Sequence, residues 1–383
     1  MRVMKLVLLM LIFSASAGAA DKPARTVKTK ILGFPEYKSY SRLSPATYRP
    51  EYRMQITAND EIMLSYFHLN TPQPPTDKST RETSGVSFVV LLLSKEDGKL
   101  INKKEWPIAG EPSFEQRRKY TIFPLPDGGY VALFNGRLQV LDAAFSIIHD
   151  RLLDRLPQRY VYGISVPLQG SFFVLDSGVE YEIIDYNTFK TVKRLSASIP
   201  IRDIWEDKLL LRSEDAHVAY NLYERKIGDS SSDYNVKIDT PLLRGEKFIH
   251  NGNAIILSSM GLYTEERQDY WLTIESGKAG NPVLTGGKRR FNGRGEGISG
   301  VTTARRVPVA VIYAHKNRGW DLGDYRWLEA YDTNTGQKLL ETKTYNDGTN
   351  AVLSSDGRTL AVFIEEKVNL EFYNIPAPGS KKK

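Results

Sequence analysis

Five histidines, His68, His149, His217, His250 and His315, are the first residues to weigh for chemistry, and they are scattered singly. Zinc needs clustered ligands, and no H-x-x-x-H spacing supplies them. Asp332-Thr-Asn334-Thr-Gly336 has the opening of a calcium loop. An EF-hand would want an oxygen ligand where Gly336 stands and a bidentate Glu in the place of Lys343, whose ammonium would repel the cation. Asn and Gly suit turn backbones without a metal, so the segment reads as a plain turn. Gly295-Glu-Gly297-Ile-Ser-Gly300 spells the dinucleotide fingerprint, whose glycines must lie between a strand and a helix. Here they follow a basic stretch and lead into the strand pattern Val309-Ala-Val-Ile-Tyr313, so they read as a flexible loop. No G-x-S-x-G elbow presents a nucleophilic serine. Acidic residues abound, but sequence alone nominates no pair for acid–base work. No catalytic, metal-binding or cofactor-binding residue is assigned, and no cofactor is expected.

Contact surfaces are the remaining candidates. One is the basic and aromatic loop of Arg289, Arg290, Phe291 and Arg294, and the other is Trp320 with Tyr325 and Trp327. Arginine and aromatic side chains give large contact area and planar hydrogen bonding, the properties of interface hot spots. Loops on a rigid scaffold are where such contacts usually sit.

The ends of the chain bear on where such a surface would work. Arg2 and Lys5, the apolar run Leu6–Phe13 and the small residues from Ser14 to Ala20 make up a secretory signal peptide of bacterial type, with cleavage near Ala19 or Ala20. The apolar run falls short of the roughly 20 residues that a spanning helix takes, and no later run is long enough. The expected location is therefore periplasmic or extracellular. There is no cysteine, so neither a lipid anchor nor a disulfide framework is available, and stability must come from a core. The net charge of +7 includes Arg2 and Lys5, and the other basic clusters are short. They read as solvated charge, and export itself argues against nucleic acid as a partner.

The chain of 383 residues exceeds an ordinary single domain, which points to two domains or one large repeat architecture. Its 21 Tyr and 11% aromatic content favour strands. The clearest unit is Ala351–Ile375, where Asp356-Gly357 makes a hairpin turn between apolar strands. The same grammar returns at Thr121–Asp142 around Asp127-Gly128, and again from Gly163 to Lys190. Arg326–Leu340 shows how a third strand turns at Asp-x-x-x-Gly into a fourth. Third strands are expected near Val90, Val140, Ile184, Tyr220, Trp271, Glu329 and Leu370, a spacing near the 40 to 50 residues, roughly, that marks propeller blades.

Ser354-Ser-Asp-Gly-Arg-Thr-Leu360 and Tyr331-Asp-Thr-Asn-Thr-Gly-Gln337 resemble the blade motifs of WD40-like and YVTN-type β-propellers, most closely over Tyr325–Ile375. Full WD40 signatures are missing: Trp320-Asp321 sits in a Gly-rich stretch, and no Gly-His dipeptide opens a blade. The resemblance implies an all-β fold, a β-propeller of seven blades, with six or eight as alternatives.

The C-terminal unit stops after three strands, before Pro376. A ring cannot leave that edge open, so the segment around Val27–Leu32 is expected to supply the outermost strand of the last blade. The resulting plan is a signal peptide at 1–20, a linker at 21–29, a propeller at 30–376 and a basic tail at 377–383. Asn70–Gly85, Gly277–Gly300 and Trp320–Tyr325 read as long loops.

The function expected is a non-catalytic binding or scaffolding module, its ligand a protein, carbohydrate or small molecule of the cell envelope, bound by a monomer. The alternative is an exported enzyme on the same ring, since YVTN-type relatives resemble lactonases and quinoprotein dehydrogenases. The quinoprotein repeat's closing Trp is absent, because Glu341-Thr342 follows Leu340, and no vicinal cysteine pair faces a quinone.

Overall fold

The computed structural model describes residues 20–28, 52–69, 86–108, 120–153, 163–167, 170–178, 180–196, 302–317, 324–335, 337–345, 349–364 and 369–379. Between 201 and 301 it describes the strands alone, as backbone. Every regular element among these residues is a β-strand.

The first strand in the chain, β1 (Arg25–Lys28), belongs to the last sheet. Sheet 1 runs β2 (Arg53–Ile56), β3 (Ile62–Leu69), β4 (Val86–Leu93), β5 (Leu100–Ile108). Sheet 2 runs β6 (Tyr120–Pro124), β7 (Tyr130–Phe134), β8 (Arg137–Leu141), β9 (Ile147–Leu152). Sheet 3 runs β10 (Gly163–Ser165), β11 (Phe172–Asp176), β12 (Glu180–Asp185), β13 (Lys190–Ser196). Sheet 4 follows with β14 (Ile201–Trp205), β15 (Lys208–Arg212), β16 (His217–Asn221), β17 (Val236–Ile238). Sheet 5 has β18 (Gly245–His250), β19 (Asn253–Thr264), β20 (Arg267–Ile274), β21 (Lys288–Phe291). Sheet 6 has β22 (Glu296–Thr303), β23 (Val309–Asn317), β24 (Asp324–Asp332), β25 (Lys338–Glu341). Sheet 7 has β26 (Thr349–Leu353), β27 (Thr359–Ile364), β28 (Asn369–Asn374) and then β1. All pairings within these sheets are antiparallel, and each third-strand residue anticipated from sequence lies in the third strand of its sheet.

The strand closing sheet 7 begins at Arg25, two residues before the anticipated Val27, and sets Val27 opposite Leu370. Gly277–Gly300 is not one loop, because it contains β21 and the start of β22. The glycines of Gly295–Gly300 accordingly stand in and beside a strand, with a register shift between Ile298 and Gly300. Glycine in a strand commonly marks such a bulge. Tyr325, anticipated in a loop, lies in β24 opposite Lys316. The anticipated loop Asn70–Gly85 falls outside the described residues.

Burial explains how the sheets pack. All eight residues of β4, Val-Ser-Phe-Val-Val-Leu-Leu-Leu, are buried, as are all five of β7. A strand covered on one face alternates, whereas one covered on both reads as a continuous apolar run. The middle strands β4 and β7 are therefore sandwiched between neighbouring sheets. One cluster joins Met63, Phe67 and Phe88 of sheet 1 to Tyr130 and Phe134 of sheet 2. A second joins Leu133 and Val140 of sheet 2 to Phe173 and Ile184 of sheet 3. A third joins Val311 and Leu328 of sheet 6 to Leu360 and Tyr373 of sheet 7, and a fourth joins Phe363 and Phe372 of sheet 7 to Leu64 and Leu91 of sheet 1. Each such side chain contributes about 1.5–3 kcal/mol by leaving water. The first strands β22, β26, β2 and β6 neighbour one another in that order, and β14 neighbours β18.

Candidate binding surfaces

The first hairpins of sheets 6, 7 and 1 meet in a polar cluster. Asp60, in the β2–β3 turn at φ 66°, accepts a hydrogen bond from the Ser355 N–H at 2.6 Å and one from the Lys95 ammonium. Asp in the left-handed region is tolerated because its short polar side chain bonds locally. Lys95 also donates to Asp356 Oδ2 at 3.0 Å, and the Arg306 N–H donates to the Ser355 carbonyl at 2.9 Å. Burial alone would raise the Asp60 pKa, but Lys95 and Ser355 outweigh it and hold the carboxyl below its ordinary value. Burial alone would lower that of Lys95, but Asp60 and Asp356 reverse the direction. Arg305 lies at the same end, its Nη2 3.4 Å from the Ile56 carbonyl, and burial pushes its pKa down. Lys95 occupies the carboxylate oxygens that a cation would use. The cluster thus fastens four turns together, β2–β3 and β4–β5 of sheet 1, β26–β27 of sheet 7 and β22–β23 of sheet 6, and presents no acid–base pair.

Three buried carboxylates recur at one position, three residues before the residue that turns or ends the third strand. They are Glu182 in Tyr181-Glu-Ile-Ile-Asp185, Glu329 in Leu328-Glu-Ala-Tyr-Asp332 and Glu371 in Leu370-Glu-Phe-Tyr-Asn374. Gln139 is the neutral counterpart in sheet 2. Glu182 receives both Arg151 nitrogens from β9 of the preceding sheet, at 3.0 and 2.9 Å, and the Thr191 hydroxyl. Glu371 receives Lys343 at 2.5 Å, again from the preceding sheet's side, and the Tyr345 and Tyr373 hydroxyls at 3.0 and 3.1 Å. Burial, reinforced by Tyr373 and then by Glu371, pushes the pKa of Tyr345 well above its ordinary value, and burial does the same to Tyr373. Glu329 accepts from Trp327 Nε1 at 2.8 Å and from the Tyr331 hydroxyl at 2.5 Å. Buried charges persist only when paired and hydrogen-bonded, so these are ties within and between sheets.

The structure places several of the sequence candidates. Trp327 is half-buried and its indole N–H is committed to Glu329. Arg289, Arg290 and Phe291 are strand residues of β21, opposite Leu272, Trp271 and Tyr270, whereas Tyr325 and Trp327 belong to the third strand of sheet 6. The two groups thus lie on different sheets. Arg294 and Trp320 fall outside the described residues. In the Asp332 turn, Oδ1 accepts the Asn334 N–H at 2.9 Å, as a turn requires, and Oδ2 accepts the Gly379 N–H of the C-terminal segment at 3.1 Å. Among the described residues, no group of three or more His, Asp or Glu side chains is placed to hold a metal ion.

A surface that sequence reasoning missed lies on the outermost strands. Among the described residues, the exposed large apolar side chains are Leu100 and Ile101 of β5, Ile147, Ile148 and Leu152 of β9, and Val192 of β13. All belong to the outer edges of three consecutive sheets. The same strands carry Lys103, Lys104, Arg151, Lys190, Lys193 and Arg194 against the acidic Glu105 and Asp150. The signal in the sequence was apolar residues in strands that follow a third strand, where only polar ones are needed.

No family model and no curated protein matches the chain. Among solved structures, it is similar to the Neurospora crassa Pan2 WD40 domain, with 10% identity and a TM-score of 0.49 over 93% of this chain and 95% of that one. A chain of a mitotic checkpoint complex gives 10% and 0.49 over 95% and 98%. Kluyveromyces lactis Hsv2 gives 12% and 0.41 over 64% and 71%.

Proposed function

We propose that the chain is an exported seven-bladed β-propeller, closed between sheets 3 and 4, and that it acts as a non-catalytic scaffold for protein partners. The seven four-stranded meanders, with middle strands buried on both faces in sheets 1, 2, 3, 6 and 7, support the ring. The observation that carries the binding role is the row of exposed Leu, Ile and Val side chains on β5, β9 and β13. An outer strand keeps one row of backbone donors and acceptors unpaired, and apolar side chains beside it suit strand addition by an extended segment. Lys104 and Lys190, which stand on these strands beside the apolar row, favour a partner segment that alternates apolar and acidic residues.

The test is binding of labelled extended peptides that alternate Leu with Glu, against a Leu–Lys series, followed by fluorescence anisotropy. The Leu–Glu peptides should bind in a salt-sensitive way, and Ile148→Asp with Leu152→Asp should weaken them about tenfold or more, which is about 1.4 kcal/mol. Exposed positions leave thermal stability within about 0.5 kcal/mol. Equal binding of both peptide series, or binding unaffected by the double substitution, would sink the proposal.

A further inference from the structure

Residues 21–28 touch three sheets in succession. The Asp21 N–H donates to the Glu341 carbonyl at 2.7 Å, and Asp21 Oδ2 accepts the Glu341 N–H at 3.1 Å, setting residue 21 parallel to Thr342 beside sheet 6. The Ala24 N–H donates to the Phe372 carbonyl at 2.8 Å, after which β1 fills the edge of sheet 7. Arg25 lays its guanidinium over the Phe372 ring at 4.2 Å and donates to the Glu96 carbonyl in the β4–β5 turn of sheet 1. Val27 packs on the same turn so tightly that a Cβ on Gly98 would stand 3.0 Å from its Cγ2.

Directly before this strap stand Gly18-Ala19-Ala20, small residues of the kind a signal peptidase accepts on the leader side of its bond. Proteases that read extended substrate do so through backbone hydrogen bonds, as an added strand. The Asp21 N–H, directly after the bond, is already donated to the Glu341 carbonyl, and its carboxylate accepts the Glu341 N–H. One segment cannot serve both partners at once.

We propose that the maturation cut falls between Ala20 and Asp21, and that docking of residues 21–28 shields that bond, so that a chain whose sheet 7 is completed before the cut is processed only when the strap opens. Water adds across the Ala20–Asp21 peptide bond: the C–N bond breaks, the leader departs with the Ala20 carboxylate, and the new Asp21 amine takes up a proton. That ammonium then stands where the N–H donated to the Glu341 carbonyl, and a charged donor makes the stronger bond. The inference rests on the export reading and adds to it the bond and its protection by the docked strap.

The test has two arms. In an exporting bacterial host, intact mass and N-terminal sequencing of the full chain should give a mature product starting at Asp21. Separately, the purified precursor, folded with its leader in detergent, is incubated with leader peptidase beside its Thr26→Pro and Arg25→Ala variants. Synthetic peptides of residues 1–28 bearing each change give the intrinsic cleavage rates, and circular dichroism confirms that each precursor is folded. Relative to its peptide, the unaltered precursor should be cut about tenfold or more slowly than the variants, because cleavage waits for local opening. An uncut chain left in the cytoplasm defeats the export reading itself. A mature start at any residue other than Asp21, or a docked precursor cut as fast as both variants, defeats this inference and leaves export standing.

Discussion

Replacing Arg151 with Met should cost more than the loss of a surface ion pair, and the structure says why. Arg151 reaches from β9 across to Glu182 with two hydrogen bonds, and the two side chains are 31% and 11% exposed. An exposed pair is worth about 0–1 kcal/mol, while breaking a fully buried one costs about 3–5 kcal/mol because the remaining charge is stranded. This pair lies between those limits. Thr191 and the more exposed Arg194, at 3.4 Å, stay behind to compensate Glu182 in part. Arg151→Met should therefore cost about 2 kcal/mol, and Glu182→Gln about 1 kcal/mol, since a neutral amide tolerates the site better. The double variant should fall short of the sum by about 1 kcal/mol or more, the mark of directly coupled residues. Urea unfolding followed by tryptophan fluorescence and circular dichroism measures all three, with coincident transitions as the check on two-state behaviour. Additivity within about 0.3–0.5 kcal/mol would refute the reasoning, because the two sheets would then not be tied through this pair.

Lys95→Met should destabilise by about 2 kcal/mol at neutral pH, most of it through Asp60, since Asp356 is 44% exposed and solvent screens it. Asp60 and Asp356 have lowered pKa values in the fold, so their contribution is full above about pH 4 and is lost as pH falls through the folded values. Lys95 has a raised value, so its share persists below about pH 10 and fades above it. The melting-temperature gap between the two proteins should thus be widest between those limits, and a gap unchanged at pH 3 would contradict the assignment. Gly357→Ala forces a side chain into φ 67° and sets its Cβ 2.5 Å from Val307 Cγ2, for a cost of about 3 kcal/mol. Gly379→Ala shares the positive φ but meets nothing within 4 Å, so calorimetry should show only about 1 kcal/mol.

Much of the fold could be read in the chain because its signals are local. Asp356-Gly357 and Asp127-Gly128 mark turns whose glycines take φ 67° and 103°, a demand that one dipeptide satisfies. The buried middle strands announce themselves as apolar runs, as in Val86–Leu93. The outer strands do not. Lys288–Phe291 is Lys-Arg-Arg-Phe, and an edge protected by charge has no apolar period to detect, so it reads as a loop. The buried carboxylates were equally hidden. A Glu between apolar neighbours, as in Leu370-Glu-Phe, looks like the solvent side of an alternating strand until the preceding sheet brings Lys343 and Tyr345 to it. The candidate surface on β5, β9 and β13 required knowing which strands lie outermost, and that is a property of pairing.

The antiparallel pairing of β1 with β28 also decides how the molecule bears load. Arg25 stands opposite Phe372 and Lys28 opposite Asn369, so the chain's two ends leave this sheet from the same side. Tension applied between them would peel the ladder open one rung at a time, the mechanically weak geometry, rather than shear all its rungs together. Anchoring both ends to a surface would strip off β1 first, whereas a tether through a hairpin elsewhere would leave it seated.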